Sequence, residues 1–244
     1  MTHHSLTTVH CLVDSVEPLN HDVVRVWLQG PDTLYYQPGQ YLEIRVMVAD
    51  EERWLPFSIA NACCQDGRIE LHIQLQSESS ALMALAAMLG PASTLTVRLP
   101  KGTCVLTEDN ERPLLLVAAA TGLAQMKAIA EAALMNMPQR SVELWWGGRT
   151  AKDLYLHEML VDWAAATPAL SYFPVVEQAA EHDIGGVVAR IDEALAQHVR
   201  QHRHYSIFLS GSPGMVYSVI DSLAFIEPVT EHLFSDVFSY APRD

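Results

Sequence analysis

Over the first hundred residues, apolar and polar side chains take turns. Tyr41-Leu42-Glu43-Ile44-Arg45-Val46, Arg68 to Leu75 and Thr94 to Leu99 all alternate, and Val23 to Leu28 is rich in β-branched and aromatic residues. A period of two means strands with one buried face and one wet face, as in antiparallel sheets. Gln37-Pro38-Gly39, Asp66-Gly67 and Pro100-Lys101-Gly102 supply turns between them. One helix is expected near Ala81 to Leu89, ended by Gly90-Pro91. After the polar stretch Thr107 to Pro113 the rhythm changes. Leu114 to Ala118 is wholly apolar, as a strand buried on both faces should be. Further strands are expected at Val142–Trp146, Leu170–Val176, Tyr205–Leu209 and Leu233–Tyr240. The helices between them fall near 124–135, 154–166, 187–198 and 215–224. Such alternation requires crossovers and hence a parallel sheet. The pattern predicts two domains. Residues 1–107 form a six-stranded antiparallel β-barrel with one helix. Residues 112–244 form an α/β doubly wound domain on a parallel five-stranded sheet.

Half of the 244 residues are hydrophobic, enough for a sizeable core. The formal net charge of -14 argues against nucleic acid and anionic membranes as partners. No apolar run reaches the roughly 18 residues of a membrane span, and the N-terminus lacks the pattern of a signal peptide. A soluble, cytoplasmic protein is expected. Cys11, Cys63, Cys64 and Cys104 have neither the spacing of an iron–sulfur centre nor that of a structural zinc site, and read as free thiols. His198, His202 and His204 cluster near a helix end, where they read as a solvated terminus. No metal is expected.

In an open parallel sheet, ligands bind beyond the carboxyl ends of the strands. Three turns fall there. Ala119-Ala120-Thr121-Gly122 precedes a helix whose free N–H groups suit a pyrophosphate, although the G-x-G-x-x-G fingerprint is absent. Gly147-Gly148-Arg149 exposes backbone beside a forked phosphate donor. Ser210-Gly211-Ser212-Pro213-Gly214-Met215 ends a strand in small residues.

Leu55-Pro56-Phe57-Ser58-Ile59 resembles the flavin-binding strand of the ferredoxin–NADP reductase superfamily, where the pattern is Arg-x-Tyr/Phe-Ser. The nearest branch is that of the NAD(P)H–flavin oxidoreductases. The resemblance extends through Pro38-Gly39-Gln40-Tyr41, Glu70-Leu71-His72-Ile73, Leu99-Pro100-x-Gly102, Trp146-Gly147-Gly148-Arg149 and Leu233-Phe234-Ser235-Asp236. It implies a flavin, FAD or FMN, bound by Leu55, Pro56, Phe57, Ser58, Ile59, His72, Ser79 and Ser80. Phe57 would lie beside the ring, and Ser58 would hydrogen-bond near flavin N5. It also implies NADH or NADPH held by Thr121, Gly122, Gly147, Gly148, Arg149, Gly211 and Met215, with Ser210 beside the nicotinamide. Ser58 and Ser210 are the candidate catalytic residues.

The chain departs from that pattern in two places. Leu55 stands where relatives carry the Arg that meets the flavin phosphate, and a charge-assisted hydrogen bond contributes about 1.5–3 kcal/mol. Ala119 and Ala120 replace a Gly-Gly pair, at a cost of about 1 kcal/mol for each that adopts positive φ. The implied activity is an NAD(P)H-dependent flavin reductase that passes hydride to FMN, FAD or riboflavin. An oxygenase or other redox protein would be its downstream partner. Two alternatives stand beside it: a flavin-bound electron-transfer subunit serving a separate redox partner, and a degenerate, non-catalytic binding or regulatory protein.

Overall fold

The structure is a computed structural model, and it describes residues 5–63, 66–75, 79–107, 110–179, 184–198, 204–223 and 230–243. The first half is a six-stranded antiparallel sheet of β1 (Thr7–Pro18), β2 (Val23–Gln29), β3 (Tyr41–Val48), β4 (Glu51–Ser58), β5 (Arg68–Gln74) and β6 (Thr94–Lys101), with α1 (Ser80–Met88) between the last two. The spatial order is β4-β3-β6-β1-β2-β5. The sheet curls until its two edges meet, where Ile59 bridges Leu71 and the Ala60 N–H donates to the Glu70 carbonyl at 2.8 Å. Its inward positions, among them Val26, Leu42, Ile44, Leu71, Ile73 and Val97, form one core that α1 caps through Leu85. β4 is an edge strand, which is why Pro56, with no N–H to give, is tolerated in it.

The second half contains β7 (Leu114–Ala119), α2 (Leu123–Asn136), β8 (Val142–Gly148), α3 (His157–Ala166), β9 (Leu170–Val176), β10 (Val187–Val188), α4 (Ile191–His198), β11 (Ser206–Ser210), α5 (Pro213–Leu223), β12 (Leu233–Phe234) and α6 (Val237–Tyr240). The parallel sheet runs β10-β9-β8-β7-β11-β12. Its two faces bury separate cores, one around Leu116, Trp146 and Phe208 and one around Leu115, Trp145 and Leu209.

The sheet therefore has six strands, not the five expected. The sixth, β10, occupies the start of what reads as a helix. Gly186 lies so close to Pro174 that a Cβ there would fall 2.4 Å from the Pro174 carbonyl oxygen. This approach lets β-branched Val187 and Val188 pair with Val175 and Val176, and α4 begins only at Ile191. The last strand is also shorter than expected. It stops at Phe234, because the Asp236 carboxylate turns the chain onto the barrel, accepting from the N–H groups of Thr103 at 3.0 Å and Cys104 at 3.2 Å.

Among the described residues, no helix is long and apolar enough to cross a membrane, and no group of His, Cys, Asp or Glu is placed to hold a metal ion. His198 donates from Nδ1 to the Ala194 carbonyl of its own helix at 2.8 Å. His202 lies outside the described residues.

Candidate active site

A cavity of about 780 Å³ opens between the two domains. The barrel lines it with Tyr41, Glu43, Pro56, Phe57, Ser58 and His72. The parallel-sheet domain lines it with Ala119 to Gly122 and with Leu209 to Ser212, and the segment from Ser235 to Tyr240 closes one side. A second cleft of about 320 Å³ adjoins it, lined by Gly148, Arg149, Asp153, Tyr155, Asn20 and Asp22. Ala120 and Thr121 belong to both.

Each wall follows from its local chain path. Ser58 is the last residue of β4 paired to β3, opposite Tyr41. One residue on, the chain crosses to β5, so the Phe57-Ser58 pair stands at the seam of the barrel. On the other wall, β7 ends at Ala119 and α2 starts at Leu123, with a 3₁₀ turn over Ala120–Gly122 between. The α2 N-terminus receives no capping bond from the Gly122 position. The Leu123 N–H donates back into that 3₁₀ turn, so what this end offers a phosphate is the positive end of the helix dipole. Ala120 takes φ +49°, whereas Ala119 is extended at φ -129°. Only one of the two alanines thus bears the left-handed strain. Trp146 steadies that turn by donating from Nε1 to the Ala120 carbonyl at 3.0 Å.

Two carboxylates and no Lys or Arg line the large cavity among the described residues. Glu43 accepts from Arg98 and, at 3.0 Å, from Lys101. Burial works against its charge, but those two cations hold its carboxyl below the usual range.

Behind His72 lies a buried polar group that joins the domains. His72 faces Glu70 through Nε2 at 3.0 Å and the Tyr155 hydroxyl through Nδ1 at 3.1 Å. Burial pushes the His72 imidazole down, against the pull of Glu70. Burial also raises the Tyr155 hydroxyl. Burial alone would raise the Glu70 carboxyl too, but the His72 hydrogen bond and the Lys127 charge more than reverse this and hold it at about 2. The three directions agree on one state: Tyr155 donates to a neutral His72, which donates to an ionised Glu70. Both ring nitrogens of His72 are thereby engaged by protein partners.

The chain is matched over residues 10–105 by the family model of the oxidoreductase FAD-binding domain and over residues 116–221 by that of the oxidoreductase NAD-binding domain. It is 28% identical to an NAD(P)H-flavin reductase of Vibrio harveyi over 239 residues, 96% of this chain and 99% of that protein. It is 29% identical to component 1 of the terephthalate 1,2-dioxygenase reductase of Comamonas, covering 85% of this chain and 60% of that one. Among solved structures, a cytochrome P450 reductase of Amycolatopsis superposes with a TM-score of 0.85 at 27% identity, covering 96% of this chain and 70% of that one. The chain has the ferredoxin–NADP reductase-like fold. It is an oxidoreductase with a flavin domain and a nicotinamide-dinucleotide domain.

Within this reductase, Pro56, Phe57, Ser58, His72, Thr121, Gly122, Ser210 and Gly211 come together on the large cavity, and Gly148 and Arg149 line the cleft beside it. Other residues named from the sequence stand elsewhere. Leu55 packs toward the barrel core and Ile59 lies within it. Ser79 and Ser80, at the start of α1, are not on the cavity wall. Gly147 lies against Ile191, and Met215 packs with the core of its own domain while its methyl crowds Gly211. Sequence reasoning missed Glu43, Gln125 and Asp236 on the wall and Lys127 behind it. Lys127 had a signal: it is the one cation in α2, a helix with almost no polar face.

Proposed function

We propose that this reductase oxidises NADH or NADPH and passes the hydride to a flavin that enters and leaves as a substrate. The observation that carries the reading is the cavity lining, with its aromatic ring at Phe57, hydroxyl at Ser58, carboxylates at Glu43 and Asp236, and no cation among the described residues. An uncharged isoalloxazine ring suits such a wall. A flavin phosphate gains nothing from it, because Arg98 and Lys101 nearby are held by Glu43. The missing charge-assisted bond is worth about 1.5–3 kcal/mol, roughly 10- to 150-fold in affinity for FMN or FAD.

The nicotinamide supplies the hydride and the flavin ring accepts it. In this reading Phe57 stacks on the ring and Ser58 bonds at its reacting edge. Thr121 and Gly122 hold the dinucleotide phosphates with the α2 N-terminus, and Arg149 offers a forked donor to them. Gly147, Gly148 and Gly211 keep that side close-packed, and Ser210 lies beside the nicotinamide. The Comamonas relative supports an oxygenase as the consumer of the electrons. The free thiols of Cys11, Cys63 and Cys104 support a cytoplasmic setting.

The test is a visible spectrum of the purified protein, followed by NADH and NADPH oxidation with riboflavin, FMN and FAD. We expect nearly colourless protein and turnover with all three flavins, with kcat/KM values within about fivefold of each other. A yellow protein that keeps its flavin through gel filtration would favour the electron-transfer subunit. No oxidation with any flavin would overturn the reading.

A further inference from the structure

Helix α2 begins at the nucleotide turn and then runs along the barrel. Lys127 is only 7% exposed, and its ammonium donates to Glu70 Oε2 at 2.8 Å, to Glu131 Oε1 at 2.6 Å and to the Ala60 carbonyl at 3.0 Å. All three of its protons are thus engaged, two of them by the barrel. The second oxygen of Glu131 accepts from the Ala62 N–H at 3.0 Å, again across the domain boundary. Glu70 is braced from behind, with Arg25 Nε at 3.0 Å and His72 Nε2 at 3.0 Å from its Oε1.

The position of this node matters as much as its bonds. Ala60 lies two residues past Ser58. Lys127 lies five residues past Gly122, about 8 Å along the helix. The node therefore links the strand that presents Phe57 and Ser58 to the helix that presents Thr121 and Gly122 by the shortest route behind the cavity. A buried ion pair is a poor device for stability alone, since apolar residues of the same volume often serve as well or better. What it adds is direction. An ammonium with three fixed acceptors admits one arrangement of the domains, whereas an apolar seam can slide.

We propose that Lys127 is a positioning residue: by pinning α2 to Glu70 and Ala60 it fixes the separation and angle of the two cavity walls across which hydride passes. This rests on the hydride-transfer reading. Reacting atoms must approach to about 3–3.5 Å, and a 1 Å misplacement costs on the order of 10²-fold in rate. Loosening the node should therefore spoil the chemical step while leaving each ligand its own wall.

The test is the paired variant Glu70→Gln/Lys127→Met, which removes both charges and keeps the volume. Turnover is measured with NADH and with its 4-deuterated form, and hydrogen exchange at the Ala62 amide is followed in the protein alone. We expect kcat to fall by about 10- to 100-fold and the deuterium effect on kcat to rise. Both KM values should stay within about threefold. Exchange at Ala62 should quicken by at least about tenfold. Unchanged kcat and deuterium effect, with only a lower Tm, would overturn the proposal. If the pair does not fold, Glu131→Gln at the half-buried end of the node carries the same test, with kcat down about threefold and KM unchanged. No change in that variant would also overturn it. Absence of turnover in the unaltered protein would instead refute the flavin reductase reading, and exchange at Ala62 in the paired variant would still test the node.

Discussion

The two walls of the cavity are made of different material. On the barrel side, Phe57 and Ser58 stand out from a strand whose backbone pairing is complete without them. On the opposite side, Ala119 to Gly122 and Ser210 to Ser212 bring small side chains and exposed backbone, and the chain itself is the surface. A Cβ on Gly122 would meet the Ser210 carbonyl oxygen at 2.3 Å, so the glycine serves the approach of α2 to β11 before it serves any ligand. The lesson is one of separability. Chemistry carried by side chains on a strand can be altered without disturbing the fold, whereas chemistry carried by packed turns cannot.

That contrast can be broken in four ways. The largest effect should come from Gly122→Ala. Moving Ser210 aside should cost about 3–4 kcal/mol of stability, lowering Tm by roughly 8 °C or more in thermal unfolding. Next comes acid. Glu70, held at about 2 when folded, stabilises the fold above the ordinary carboxylate range and loses that contribution as pH falls toward its folded value. The loss is on the order of 3 kcal/mol. His72 is held down by burial, so the unfolded chain takes up its proton first and weakening begins below about pH 6.5. Urea unfolding from pH 7 to pH 2 should show both phases, and Glu70→Gln should flatten the lower one. A wild-type curve that is already flat would refute this assignment. Third, Ser58→Ala should lower kcat on the order of 10²-fold with flavin KM changed less than about threefold and Tm unaltered, as steady-state kinetics and melting would show. A matching fall in stability would mean that the barrel wall is no more separable than the other. The smallest effect is a gain. Ala120→Gly should relieve the φ +49° strain and stabilise by about 1 kcal/mol, raising Tm by 2–4 °C.

The same contrast explains what could be read from the chain. Alternation at Tyr41–Val46 and Arg68–Leu75 marked strands because one face of each is buried, and Phe57-Ser58 could be picked out as part of the cavity wall because what marks it is its side chains. β10 was not legible, because its pairing depends on how closely Gly186 approaches Pro174, a distance no local pattern encodes. The turn from β12 into α6 was hidden for a similar reason, since it depends on a bond from Asp236 to backbone 132 and more residues away. Glu70 and His72 occupy polar positions of an alternating strand and so look solvated. They are buried because α2 and Tyr155 cover that face of the barrel, which only the docking of the two domains decides.

Trp146 is fully buried, bonds the strained Ala120 turn and meets the Tyr155 ring edge-on at 4.9 Å. It is therefore a built-in optical probe of the place where the two walls are joined. Its emission should be quenched by any ring that absorbs near the Ala120 turn, and shifted by any change in the hydrogen bond to that carbonyl. Of the five tryptophans, Trp27 and Trp54 lie on the barrel under Arg68 and Arg98 and can serve as the internal reference. Occupation of the cavity can then be followed by fluorescence without adding a label.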